Sequence, residues 1–311
     1  MSAPEATPEL SVVVLSWNTK DLTLACLRAL AAERPRHARE VVVVDNGSSD
    51  GSADAIAAAF PDVVLLRNAA NAGYAEGNNQ GARAARGAYL CLLNSDTEVR
   101  PGALDRLVGF LAAAPAYGAV APRLVNPDGT VQRACMRFPG LATALCFDTL
   151  FGRHWPGSIV ERRYFMRDFD HLHSRDVDQP PGACMVMRRD EYLAMGGLDP
   201  ELFLFFNDVD LARRLWRAGR RIRYLAEAEV VHHGGASTKG FARFVVVWHR
   251  NRLAYYRKHY GALAMPYLRA ITRWRALEEK WRAGRRHAGD AKALADERAF
   301  IDQCLREILQ P

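Results

Sequence analysis

Apolar residues in the first hundred positions fall in short unbroken runs, each followed by a helical spacing. Ser11–Ser16 reads as a buried strand, and Asp21–Ala32 sets Leu22, Leu24, Cys26, Leu27 and Leu30 at helical intervals. Glu40–Asp45 repeats the strand pattern and ends in the polar run Asn46-Gly47-Ser48-Ser49-Asp50. Ser52–Phe60 predicts a helix, Val63–Leu66 a strand, Gly77–Ala85 a helix and Ala88–Leu93 a strand. Val/Leu strands without polar alternation, interleaved with helices, predict an α/β fold with a mostly parallel sheet covered on both faces. Ligands of such sheets lie beyond the carboxyl ends of the strands.

After Pro122 the pattern changes. Leu124–Val131, with Asn126-Pro127-Asp128-Gly129 at its centre, predicts a hairpin. Gly140 to Asp178 has little periodicity and is rich in Arg, His and aromatic residues, which suggests a functional loop or lid. Ala183–Met187 reads as a strand, Val209–Ala218 as a helix, and Arg221–Leu225 and Glu229–His233 as two short strands. From Phe241 onward the spacing is helical.

Composition narrows the class. The 311 residues are 49% hydrophobic and 25% charged, an ordinary globular balance. The longest uncharged stretch, Leu107 to Pro122, is 16 residues and is broken by glycine and proline, short of the ~20 apolar residues of a membrane span. Met1 to Leu10 lacks the basic and apolar regions of a secretory signal. The six cysteines form no close pair, which suggests free thiols in a reducing compartment. The net charge is +7, yet Lys239 to Asp290 alone carries 13 basic and 3 acidic residues. That segment suits an anionic surface such as lipid headgroups or a nucleic acid, or simply a solvated helical face.

Three apolar runs end in chemistry-bearing residues: Val44-Asp45-Asn46, Leu93-Asn94-Ser95-Asp96 and Val231-His232-His233. At the shared edge of a parallel sheet, Asp96 and an imidazole from His232 or His233 suit Mg²⁺ or Mn²⁺ when phosphate and water complete the shell. Each residue taken alone also reads as a turn or cap. The stretch Asn71 to Gly81 spaces Gly73, Gly77 and Gly81 by four and is neither G-x-G-x-x-G nor a P-loop. Its glycines would let backbone approach a ligand closely, or make a tight turn. Asp208 follows Phe205-Phe206-Asn207. An apolar wall beside a carboxylate raises its proton affinity, as a general base requires, while helix capping is the plainer role.

In this order the motifs resemble the family 2 glycosyltransferases of the GT-A fold, rhamnosyltransferase-like members above all. The likeness runs from Ser11-Val-Val-Val-Leu-Ser-Trp-Asn18 through Asn71–Asn79, Asn94-Ser95-Asp96, Gly182-Ala183 and Asn207-Asp208-Val209-Asp210 to His232-His233-Gly234-Gly235-Ala236-Ser237. It implies a GT-A domain over 1–240 and a basic helical region over 241–311. It further implies that Asp45 bonds the pyrimidine base and that Ser16, Asn18, Asn46, Gly73, Tyr74 and Asn79 form the rest of the nucleoside pocket. Asn94, Ser95, Gly182 and Ala183 line the donor cleft, Asp96 with His232 or His233 binds the metal, and Asp208 is the base. Asn94 and Asn207 stand where the family often has acids.

The expected activity is inverting transfer from a nucleotide-diphosphate sugar to a hydroxyl of a cell-envelope glycan or lipid-linked acceptor. The resemblance favours dTDP-L-rhamnose; a UDP-hexose, UDP-galactofuranose or a non-catalytic sugar-nucleotide binder are the alternatives. A nucleotidyltransferase would want glycine after the first strand, where Ser16-Trp17-Asn18-Thr19-Lys20 has none. The expected setting is cytoplasmic and peripheral on the inner face of the plasma membrane, without nucleic acid as partner. A homo-oligomer is left open.

Overall fold

The computed structural model describes residues 7–147, 149–154, 158–234 and 244–310. The chain opens as alternating β1 (Leu10–Ser16), α1 (Lys20–Ala32), β2 (Arg39–Asp45), α2 (Ser52–Ala59), β3 (Val64–Arg67), α3 (Tyr74–Ala84) and β4 (Tyr89–Asn94). Next come β5 (Thr97–Val99), α4 (Ala103–Ala113) and β6 (Tyr117–Val125), then three short helices, α5 (Leu141–Cys146), α6 (Leu150–His154) and α7 (Ile159–Tyr164). They are followed by β7 (Arg175–Asp176), β8 (Cys184–Arg188), α8 (Arg189–Ala194), α9 (Asn207–Arg217) and β9 (Arg221–His232). Helices α10 (Phe244–Tyr260), α11 (Met265–Arg286) and α12 (Ala291–Leu309) complete the described chain.

The strands make one mixed sheet in the order β3-β2-β1-β4-β8-β6-β9-β5, with β7 on β9. The first four are parallel neighbours, whereas β8 runs antiparallel to both β4 and β6. Val12, Val13, Val14, Val42, Val43 and Val44 are wholly buried, which is why these strands read as unbroken apolar runs. Leu24, Leu27 and Leu30 of α1 and Leu104, Leu107 and Leu111 of α4 join the same core as Val12, Val14, Cys91 and Leu93.

Two differences from the sequence reading follow from pairing. The predicted strands 221–225 and 229–233 are a single β9, because β6 offers it a partner along nearly its whole length. Leu225 pairs with Pro122 and Glu229 with the next residue, Arg123, so 226–228 are extra residues in the ladder. The Asn126–Gly129 turn forms, but its hairpin shrinks to a single Val125–Val131 bridge.

The glycine spacing also has a different cause. Helix α3 begins at Tyr74, so Gly77 and Gly81 lie inside it. A Cβ on Gly77 would sit 2.4 Å from Leu15, and one on Gly81 would sit 2.3 Å from Val13. These two glycines bring helix and strand together. Only Gly73, with φ +89°, makes the turn.

The chain divides into two compact units. The first comprises Met1–Met136, Phe169–Phe203 and Asn207–Gly240; the second comprises Arg137–Asp168, Leu204–Phe206 and Phe241–Pro311. Much of the stretch expected to be a lid therefore groups with the last three helices. Inside that second unit Phe147 stacks on Trp248 at 5.6 Å, Arg252 donates to the Ala144 carbonyl and Tyr256 to that of Gly140. Among the described residues no helix is long and apolar enough to cross a membrane.

Candidate active site

The parallel strands end side by side. Ser16 pairs with Asp45 and Leu15 with Asn94. Beyond Asn94 the chain turns through Ser95 and Asp96 into β5, which pairs antiparallel with β9 so that Thr97 faces His232. The His233 N–H donates to the Asp96 carbonyl at 2.9 Å. This register brings Asp96 Oδ1 to 3.5 Å from His232 Nε2 although the residues are far apart in sequence.

Gln132 decides what that contact is. Its Nε2 donates to the His232 carbonyl at 2.7 Å, which leaves its Oε1 facing His232 Nδ1 at 2.9 Å. An amide oxygen only accepts, so Nδ1 carries the proton and, in the neutral ring, Nε2 turns a lone pair toward the Asp96 carboxylate. With the ring neutral, two lone-pair atoms face each other, an arrangement that a divalent cation fits. His233 points elsewhere and meets Glu98 at 2.7 Å, so the histidine beside Asp96 is His232. Among the described residues no cluster of three or more His, Cys, Asp or Glu is present. A cation here would take the rest of its shell from phosphate and water.

Asp208 lies in the first turn of α9. Its Oδ1 accepts from the Val209 N–H at 2.8 Å and its Oδ2 from Gln179 Nε2 at 3.3 Å. Gly182 packs so tightly against it that an added Cβ would lie 3.1 Å from Oδ2. Burial pushes the carboxyl above the ordinary aspartate range, against the pull of its two donors. Phe205 and Phe206 pack on Phe244, Trp248 and Tyr255 within the second unit. Within the first unit the Tyr74 hydroxyl reaches Asn94 Oδ1 at 3.1 Å and the Gly182 carbonyl at 3.3 Å. Burial, then the charges of Asp208 and Asp96, raise its proton affinity.

The other expected residues divide into open and occupied. Asp45 accepts from the Ser48 N–H through Oδ2, while its buried Oδ1 has no partner. Asn18, at φ +51°, ties two loops by accepting from the Ser49 N–H. Asn46 and Asn79 spend their amides on the protein itself. The Asn46 amide bonds Asn71, Gly73, Asn68 and Ala72, which holds the loop before α3. Asn79 uses its amide on Leu198 and Tyr192. Ser16 is buried against Thr23 and Ser95 against Thr19. The Ala183 carbonyl accepts from the Asn94 N–H. Gly235, Ala236 and Ser237 lie outside the described residues.

Gln132 and Gln179 were not singled out in the sequence. Neither sits at a strand end, and each acts through a partner distant in the chain. Asn207, noted only for replacing an acid, is buried with both amide atoms unpaired.

The profile of the glycosyltransferase-like family 2 matches residues 8–252. N-acetylglucosaminyl-diphospho-decaprenol L-rhamnosyltransferase of Mycobacterium tuberculosis is 32% identical over 221 residues, 68% of this chain and 70% of that one. The O-antigen biosynthesis protein RfbC of Myxococcus xanthus is 30% identical over 76% of this chain and 18% of its own. Among solved structures, a mannosyltransferase of Pyrobaculum calidifontis in complex with GDP-Man and Mn²⁺ superposes with a TM-score of 0.55 at 19% identity, over 97% of this chain and 82% of that one. GalNAc-T7 with UDP, GalNAc and Mn²⁺ gives 0.56 at 16% identity, over 86% and 55%. At such identities the structural likeness speaks to the fold, and the sequence match supplies the rest: the chain belongs to the glycosyltransferase-like family 2 and is a glycosyltransferase of the GT-A fold.

Proposed function

We propose that the protein transfers L-rhamnose from dTDP-L-rhamnose to a hydroxyl of a lipid-linked, cell-envelope glycan, with inversion at the anomeric carbon. The name of the mycobacterial relative, which matches over two thirds of the chain, supports the rhamnosyl group and the lipid-linked acceptor class. One observation carries the chemistry: a desolvated Asp208 packs on Gly182, which Tyr74 joins to Asn94 at the strand end that leads into the Asp96–His232 contact.

Asp208 takes the proton of the acceptor hydroxyl as its oxygen bonds to the anomeric carbon. The bond from that carbon to the diphosphate breaks and its electron pair leaves with the nucleotide. Asp96 and His232 would hold Mg²⁺ or Mn²⁺, which neutralises the departing diphosphate when bound. The unpaired Asp45 Oδ1 accepts from the imide N–H of the pyrimidine base. Tyr74 keeps Asn94 and Gly182 in position at the cleft between these groups.

The test combines a donor panel with a synthetic polyprenyl-diphospho-N-acetylglucosamine acceptor, read by release of the nucleotide diphosphate. Turnover with dTDP-L-rhamnose that stops on chelation is the expected result. Turnover only with a UDP-hexose or UDP-galactofuranose would replace the donor, and full turnover after stripping divalent ions would remove the metal.

A further inference from the structure

Helix α11 sorts its basic side chains by side. Arg275 and Arg282 each bond Glu279 at 2.5 Å, Lys280 bonds Asp302 at 2.5 Å, and Arg286 bonds Glu297. Asp302 and Glu297 belong to α12, so Lys280 and Arg286 tie the two helices together. Arg269, Arg273 and Arg285 lie on the exposed side, and no carboxylate pairs with them among the described residues.

That same side carries the large apolar residues. Tyr267, Ala270, Trp274, Leu277 and Trp281 are spaced alternately by three and four, which lines them up along one face of α11. Trp274 is 59% exposed, Leu277 65% and Trp281 54%. From Tyr267 to Trp281 the stripe is about 21 Å long at 1.5 Å per residue. The Trp274 indole N–H is satisfied by Glu278, so its ring is left with an apolar role. Arg285 lies over the Trp281 ring at 5.1 Å. No acidic residue is exposed along this face.

An ordinary solvated helix would not sort itself in this way. Lone surface apolar residues need no explanation, but an aligned stripe flanked by unpaired cations does. Self-association across this face would set arginine against arginine in an isologous contact, at a repulsive cost. An anionic bilayer meets both halves of the pattern: aromatic rings settle at the headgroup boundary and guanidiniums meet phosphate.

We propose that the outer face of α11 docks on an anionic phospholipid bilayer, with Trp274, Leu277 and Trp281 entering the interface and Arg269, Arg273 and Arg285 on the headgroups. Docking and sugar transfer are separable properties, since α11 contributes none of the residues assigned to the reaction.

Flotation of the full chain tests this with vesicles of phosphatidylglycerol and phosphatidylcholine against phosphatidylcholine alone. Binding to the anionic vesicles that weakens with salt is expected. R269Q/R273Q/R285Q should lower the partition coefficient about fivefold per residue, on the order of 100-fold together. W274S/L277S/W281S should also release the protein while melting temperature and turnover on a soluble acceptor hold. Wild-type protein that stays with neutral and anionic vesicles alike, or floats with neither, overturns the proposal. So does a concentration-dependent dimer that the tryptophan variant abolishes while vesicles go unbound. If a variant fails to fold, the salt and lipid-charge series on the wild-type chain decides.

Discussion

The first unit keeps nearly all of its large apolar side chains covered, whereas the second leaves a dozen in the open. Of the large apolar residues exposed among the described residues, Val64 and Leu172 belong to the first unit, while Trp274, Leu277, Trp281 and nine others belong to the second. Unmatched polar groups run the other way. At the strand-end site of the first unit Asp45 Oδ1, Gln179 Oε1 and both amide atoms of Asn207 are buried without partners, whereas Arg269, Arg273 and Arg285 on the outer face of α11 are exposed and meet no carboxylate among the described residues. A buried orphan costs about 1–3 kcal/mol and suits a small ligand that completes its hydrogen bonds. An exposed apolar stripe adds nothing to the core and suits a broad surface. The two units thus announce binding through opposite departures from ordinary burial.

The hardest blow to this contrast would come from Asp208→Asn, expected to slow transfer ~10²–10⁴-fold with the fold intact. Activity within a few-fold of the parent would detach the buried carboxylate from catalysis. Because burial raises the Asp208 proton affinity, kcat/KM of the parent should fall as pH drops through a point above the ordinary aspartate range. The linkage has the matching sign. A carboxyl with a raised folded pKa lowers stability once pH exceeds its unfolded value, so the Asn variant should melt higher near neutrality and lose that advantage in acid. A pH–rate profile and paired melting curves read both.

Gln132→Met comes next. Freeing His232 from its fixed tautomer should weaken Mn²⁺ affinity or activity about 10–100-fold. His233→Ala, which removes only the Glu98 contact, serves as the control, and an equal loss in both would show that Gln132 does not act through His232. Asn207→Leu sharpens the meaning of an orphan. If its amide is kept for a ligand, the leucine variant loses activity yet gains up to about 1–3 kcal/mol in denaturant unfolding; a loss of stability would make the amide structural. The smallest effect belongs to the second unit. Leu277→Ser should alter stability by no more than about 0.5 kcal/mol, and a larger drop in melting would place that side chain in a core.

The parallel half was readable because burial on both faces of a strand removes polar alternation, as in Val41-Val-Val-Val44. The meeting of Asp96 with His232 was readable in outline because strand ends share an edge. What lay beyond reach was pairing between distant positions. Nothing near Gln132 signals that His232, a hundred residues on, will take its amide. Gly77 and Gly81 looked like a ligand loop because glycine is equally apt for a turn and for a tight helix–strand contact; only Val13 and Leu15 across the gap tell them apart. The bracing bonds of Asn46 and Asn79 were equally hidden, since an amide that braces a loop has the same composition as one that meets a nucleotide. The sorting of arginines on α11 depends on where α12 lies.

The adjacent histidines at the end of β9 carry a built-in spare. Side chains alternate along a strand, so a slip of a single residue against β5 would carry His233 into the place opposite Thr97 and turn its imidazole toward Asp96. A lone histidine there would be lost to such a slip, whereas the doublet keeps a nitrogen donor in either register.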